Sequence, residues 1–223
     1  MAVTAKKITD LETREDAMKV IEGVYLKEKK WIDNPEKEIP ENTINSDRFS
    51  WFITYVNDKP AGLIRLAYDP SLTFPPELKV TLKKDIDLEK MAAQCKIVEI
   101  GRFMILPEYR RNILIALRLM KIAISEVVER DYTHFLTDVF ENEPNSPFRF
   151  HTKILGFEVI GTHVHGELNC SCTRIILTLD ILKAYQKLKK RKNKFSKMLV
   201  SGIESILEKK LAKKMAKKVK PSS

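Results

Sequence analysis

One uninterrupted stretch, Cys95 to Arg130, constrains this chain more than any other. It begins as an apolar run, Ile97, Val98, Ile100, Phe103, Met104, Ile105 and Leu106, with β-branched residues and no internal proline, which predicts a buried strand. Pro107 ends that run. After a turn carrying Tyr109, Arg110 and Arg111, a nearly all-apolar segment from about Asn112 to Glu129 predicts a helix that must be buried. A strand, a short basic turn and a helix whose first N–H groups have no partner inside the helix together make an anion site.

The flanks predict a mixed α/β (α+β) sheet. Lys6–Thr9 reads as a first strand, and Asp10 or Thr13 as the cap of a helix reaching about Lys30, with Ala17, Val20, Ile21, Val24 and Tyr25 on one face. Trp51–Val56 and Ala61–Tyr68 are strands joined by Asn57-Asp58-Lys59-Pro60, a hairpin signal. His134–Phe140 is the strand after the central helix. Phe148–Leu155 is a short helix closed by Gly156, and Phe157–Gly161 and Thr173–Leu179 are further strands. Strands alternating with helices around a β-hairpin start place helices on both faces of a central sheet.

With 223 residues and 43% hydrophobic content, the chain can bury a substantial core in one domain. No apolar run approaches the roughly 20 residues of a membrane span, and no signal-peptide layout is present, so a cytoplasmic protein is expected. Three cysteines, Cys95, Cys170 and Cys172, fit reduced thiols. Charge is divided unevenly. Residues 181–223 hold 15 Lys and Arg against 2 Glu, a balance of +13, whereas residues 1–180 hold 25 basic and 28 acidic residues, a balance of −3. The expected division is therefore a domain over 1–180 and a basic amphipathic helical tail over 181–223. In the tail Phe195, Leu199, Ile203, Ile206 or Leu207, Leu211, Met215 and Val219 recur every three or four residues, with a break near Gly202.

Strand, proline, Glu108-Tyr109-Arg110-Arg111 and helix resemble the acyl-donor segment of the GNAT superfamily of N-acyltransferases. Glu99-Ile-Gly-Arg102-Phe103 and Gly62-Leu-Ile-Arg65-Leu66 are similar to paired motifs of two of its branches, the acyl-homoserine-lactone synthases and the long-chain N-acyl amino acid synthases. Phe150-His151-Thr-Lys-Ile-Leu-Gly156-Phe157 resembles the superfamily's entry into its sixth strand, and the likeness covers about residues 15 to 180. The resemblance implies an N-acyltransferase with no tightly bound cofactor, whose co-substrate is the phosphopantetheine of an acyl carrier protein or acyl-CoA. A homoserine-lactone synthase fits less well, because only Tyr25 and Trp31 echo the aromatic pattern that those synthases carry.

Acyl transfer from a thioester to an amine needs a donor pocket, removal of an ammonium proton, and stabilisation of an oxyanion. Glu99 is the candidate base, its pKa expected to rise by desolvation on an apolar strand. The plainer alternative is that Glu99 pairs with Arg102 or Arg65 and joins two strands. Residues 99 and 102 fall on opposite faces of a regular strand; the resemblance implies a bulge in this strand, with Gly101 its expected place, and only with it do both line one cleft, whereas without it at least one of the two is merely structural. Arg102 and Arg65 would then orient Glu99 or hold a carboxylate of the acceptor.

On the donor side the resemblance gives Met104, Ile105 and Leu106 as the edge that pairs with the pantetheine, and Arg110, Arg111, Asn112, Leu114 and Ala116 as the phosphate turn. The superfamily's turn glycines are absent: Ile113 and Ile115, or Leu114 and Ala116, stand in their places. Branched side chains would crowd a pyrophosphate more than a single phosphodiester, which favours a carrier-protein donor over free CoA. Alternatively, the arginines are a solvated turn.

His151 occupies the neighbourhood of the superfamily's general acid and is a candidate for that role, but the expected reading is a surface histidine. His163, His165, Glu167, Cys170 and Cys172 match no familiar zinc spacing, and no metal is expected. The tail suits an acidic carrier protein, an anionic membrane surface, or a merely solubilising role. Sparse aromatics and the absence of any binding motif argue against nucleic acid. The leading expectation is transfer of a medium or long acyl group to an amino acid or similar amine. The alternatives are an acetyl-CoA-dependent acetyltransferase and a non-catalytic module that binds a carrier or membrane.

Overall fold

The structure, a computed structural model, describes residues 2–164, 168, 170, 172–191 and 194–219. Eight strands form one sheet in the order β1-β2-β3-β5-β6-β8-β7-β4. They are β1 Val3–Lys7, β2 Phe49–Val56, β3 Lys59–Tyr68, β4 Thr81–Leu82, β5 Ile97–Ile105, β6 His134–Phe140, β7 Glu158–His163 and β8 Arg174–Asp180. Every neighbouring pair is antiparallel except β5 and β6. A parallel pair needs a crossover, and α3 (Ile113–Glu129) supplies it.

The first strand starts three residues before its expected place. Helix α1 (Leu11–Ile21) is capped by Asp10, whose Oδ1 accepts from the Thr13 N–H at 2.8 Å, and it continues as a wider π-helical turn over Glu22–Glu28. Asn57 and Asp58 take left-handed φ values of 48° and 62°, closing the β2–β3 hairpin as a two-residue turn. Residues 35–43 contain two short 3-10 turns, and α2 (Leu88–Gln94) precedes β5.

Two cores sandwich the sheet. On one face α3 places Leu117, Leu119, Met120, Ala123 and Val127 against Phe52, Ile64, Leu66, Val98, Ile100 and Phe135. On the other, α1 places Ala17, Val20, Ile21 and Val24 against Trp51, Ile53, Leu63 and Met104. Helices on both faces are what the alternating elements predicted.

The basic segment is helical, but as α4 (Ile181–Arg191), α5 (Lys194–Val200) and α6 (Glu204–Val219), with Gly202 at φ 90° between the last two. Its apolar stripe faces inward: Leu188, Leu199, Ile203 and Leu207 are buried in the same core as α3. Phe195 and Met215 are its exposed large apolar side chains among the described residues. No helix among the described residues is long and apolar enough to cross a membrane.

Candidate active site

Strands β5 and β6 pair from Ile97 opposite His134 to Ile100 opposite Thr137, and Thr137 Oγ1 donates to the Ile100 carbonyl at 2.9 Å. The ladder stops there because β5 bulges. On its other edge Arg65 pairs with Gly101 and Leu63 with Met104, so the single residue Ile64 faces both Arg102 and Phe103. Arg102 lies at φ 51°, a conformation that non-glycine residues rarely take. The bulge that the resemblance implied is therefore one residue beyond its expected place at Gly101. Past it the strands part around a cavity of about 780 Å3 lined by residues 99–105 of β5, residues 136–140 of β6, the start of α3, and Tyr25 and Trp31.

Glu99, Arg65 and Arg102 all line this cavity. Glu99 and Arg65 project from the same sheet face, since their cross-strand partners, Ala67 and Gly101, are two residues from each. Arg65 Nη2 lies 3.4 Å from Glu99 Oε1, and the guanidinium sits above the Phe49 and Trp51 rings. Gly101 is needed beneath it, because a Cβ there would stand 2.7 Å from Arg65 Nη2. Arg102 Nε donates to Glu38 Oε2 at 2.6 Å and its guanidinium faces the Tyr25 ring. The Glu99 side chain keeps 36% of its surface uncovered, on the cavity wall. Burial pushes the Tyr25 phenol up to about 12, so it remains a protonated donor at neutral pH.

Of the expected donor residues, Met104, Ile105, Arg110, Asn112 and Ala116 line the cavity, whereas Leu106, Arg111 and Leu114 lie outside its lining. Leu106 packs in the α1 core instead. Arg110 is not a free phosphate ligand: Nε donates to the Ile105 carbonyl at 3.0 Å, and Nη1 and Nη2 pair with the two oxygens of Glu28. That fork holds the Glu28 carboxyl below its usual range. Arg111 is exposed on the turn, and Asn112 Oδ1 caps α3 by accepting from the Leu114 N–H at 3.2 Å.

His151 corrects the expectation of a surface histidine. It is fully buried, with the Phe103, Phe150 and Phe157 rings 4.9–5.7 Å away, and neither ring nitrogen has a hydrogen-bond partner. Burial pushes its pKa down to about 3, so at neutral pH the ring is uncharged and has no imidazolium proton to give. The cause is local. Phe150–Leu155 is a π-helical turn closed by left-handed Gly156, and it rotates residue 151 into the aromatic cluster.

Sequence reasoning passed over a charged group on the far wall. Asp138 of β6 accepts from Arg174 Nη1 at 3.1 Å, and His163 Nε2 lies 3.0 Å from the same oxygen. Burial pushes the Asp138 carboxyl up, but the His163 hydrogen bond and the Arg174 charge outweigh it and hold the group below its usual range. Protein atoms surround this carboxylate, yet 37% of its side-chain surface stays uncovered in the cavity. The available signals were a lone acid in Phe135-Leu-Thr-Asp138-Val-Phe140 and an arginine opening an apolar strand. His165 and Glu167 lie outside the described residues. Among the described ones, no three His, Cys, Asp or Glu side chains gather as metal ligands.

The family model described as N-acyl amino acid synthase FeeM matches residues 16–173. No curated protein sequence matches the chain. The structure of FeeM, an N-acyl amino acid synthase from uncultured soil microbes, superposes with a TM-score of 0.63 at 15% identity, covering 86% of this chain and 99% of that one. The ribosomal-protein-S18-alanine N-acetyltransferase of Escherichia coli superposes at 0.54 and 15% identity over 81% and 94% of the two chains. The aminoglycoside 6'-N-acetyltransferase of Enterococcus faecium gives 0.55 and 13% over 81% and 97%. These three structures share the fold.

Proposed function

The chain belongs to the N-acyl amino acid synthase FeeM family and is an N-acyltransferase; on that premise we propose that it joins a medium or long acyl group, delivered as a carrier-protein or CoA thioester, to the amine of an amino acid. The observation that carries this reading is the cavity at the parted β5 and β6, with a carboxylate and an arginine on its wall. Glu99 takes a proton from the acceptor ammonium, and Arg65 holds that carboxylate in place. The freed amine attacks the thioester carbonyl, the carbon–sulfur bond breaks, and the departing thiolate takes up a proton. Donors on the unpaired edge of β5 beyond Gly101 are suited to the pantetheine arm and the developing oxyanion.

A volume of about 780 Å3 exceeds what an acetyl group needs, which favours a longer chain. Ile113 and Leu114, each 39% exposed at the α3 start, stand where closely approaching backbone would be needed for a pyrophosphate. That supports an acyl carrier protein as donor, with the lysines of α4–α6 as its acidic partner's counter-surface. The cytoplasm is the proposed site of action, in keeping with three unpaired cysteines. A membrane contact through the tail is left out of this reading, because the apolar stripe that would enter a lipid surface is packed on α3.

The test is mass spectrometry of lipid extracts from cells expressing the chain or its Glu99→Gln variant. New N-acyl amino acids that appear only with the intact chain would support the reading. Identical extracts from both, with the protein soluble, would count against it.

A further inference from the structure

The wall of the cavity across from Glu99 carries a guanidinium with part of its hydrogen-bonding capacity unused. Arg174 opens β8, opposite Phe140 on one side and His163 on the other. Its side chain is only 8% exposed and lies 4.7 Å above the Phe140 ring. Nη1 is bound to Asp138, but Nε and Nη2 are buried without a hydrogen-bond partner among the described residues. These two N–H groups form one edge of the guanidinium, the fork whose spacing matches both oxygens of a carboxylate. Buried donors are normally satisfied, so a carboxylate that pairs with this edge would meet an unmet hydrogen-bonding demand of the protein.

The surroundings specify which ligand. Glu99 stands opposite Leu136 in the parallel pair, and Asp138 is two residues further along β6, so both carboxylates leave the same sheet face and line the same cavity. Asp138 is held ionised by its two cationic or donor neighbours. The cavity thus offers two carboxylates on one side and, beyond them, a largely buried guanidinium whose Nε–Nη2 edge has no partner among the described residues. An ammonium next to a carboxylate is the charge pattern that complements it.

We propose that Arg174 recognises the carboxylate of the acceptor, while Asp138 fixes the guanidinium and draws the acceptor ammonium toward Glu99. This inference rests on the reading of the chain as an amino acid N-acyltransferase. It makes Arg174 a specificity residue: acceptors are amines that carry a nearby carboxylate, and the same compounds with the carboxylate converted to a neutral amide are poor substrates.

The experiment supplies the full chain with a dodecanoyl thioester and two acceptor sets, the common amino acids and their primary amides, and compares kcat/KM for each. The expected result is a preference for the free acids of at least about tenfold. Arg174→Gln abolishes that preference, mainly through KM for the acids, and Arg174→Lys, which keeps the charge without the fork, restores part of it. Equal use of acids and amides by the intact chain overturns the proposal, as does a folded Arg174→Gln protein that keeps the full preference. If Arg174→Gln does not fold, the acid-to-amide ratios of the intact chain and of Arg174→Lys decide. Product from neither set overturns the amino acid acyltransferase reading, and this inference with it.

Discussion

Arg65 Nη2 stands 3.4 Å from Glu99 Oε1 across two neighbouring antiparallel strands, and the absence of a side chain at Gly101 is what lets the guanidinium lie there. Both groups face the cavity that opens where β5 leaves β6. The pair joins strands, and its carboxylate lines the cavity of about 780 Å3 at that parting. Its structural and chemical roles can be separated experimentally.

Glu99→Gln keeps shape and removes proton acceptance. Loss of a general base lowers rates by about 100- to 10,000-fold, so kcat/KM for amide formation should fall within that range. The side chain is 36% exposed, so the melting temperature should barely move. Steady-state rates beside thermal melts check both halves.

Gly101→Ala places a methyl group 2.7 Å from the Arg65 guanidinium. The far end of a flexible side chain can give way, so the fold should survive with a cost of about 1 kcal/mol. Arg65 then loses its seat beside Glu99, and kcat/KM should drop about tenfold or more. Melting and rate measurements on one preparation distinguish this from general unfolding.

His151 predicts an acid-sensitive stability. Its pKa falls from 6.5 to about 3 on burial, so between those values the unfolded chain binds a proton that the folded chain does not. Stability therefore decreases as pH falls through this window, by about 2 kcal/mol between pH 7 and pH 5. His151→Leu should remove that contribution and be no less stable at pH 7, because an imidazole without partners is replaced by an apolar group. Urea unfolding at the two pH values measures it; an unchanged pH dependence would contradict a buried neutral ring.

The basic segment should be needed for folding. Leu207 is buried against the α3 core, so Leu207→Ala should destabilise by about 2–5 kcal/mol. Truncation after Asp180 uncovers the α3 surface beneath Leu199 and Ile203, and the product should be insoluble or markedly less stable. A truncated chain that melts like the full one would show the tail to be an appendage.

Most of the fold was legible because its signals are local. The apolar run before Pro107, the capped helix from Asn112 and the Asn57-Asp58 turn each specify their own geometry. The odd spacing of Glu99 and Arg102 showed only that a bulge was needed to bring both into one cleft; the bulge itself was implied by the resemblance, and its position lies one residue past Gly101. What the sequence hid was long-range. Arg102 meets Glu38 across 64 residues and Arg110 meets Glu28 across 82, and no periodicity encodes such pairs. The π-helical turn that buries His151 also escaped, because a one-residue widening leaves no compositional mark. The tail's apolar stripe was legible in its spacing, but nothing in that spacing says that it packs on α3.

The most direct measurement is a reaction of the purified chain with dodecanoyl carrier protein, or dodecanoyl-CoA, and a mixture of the common amino acids, with products identified by mass spectrometry. The account predicts N-dodecanoyl amino acids from the intact chain, with formation reduced at least about 100-fold by Glu99→Gln. Equal product from both proteins would contradict Glu99 as the base at this site. No amide from either thioester, with the protein folded, would contradict the account as a whole.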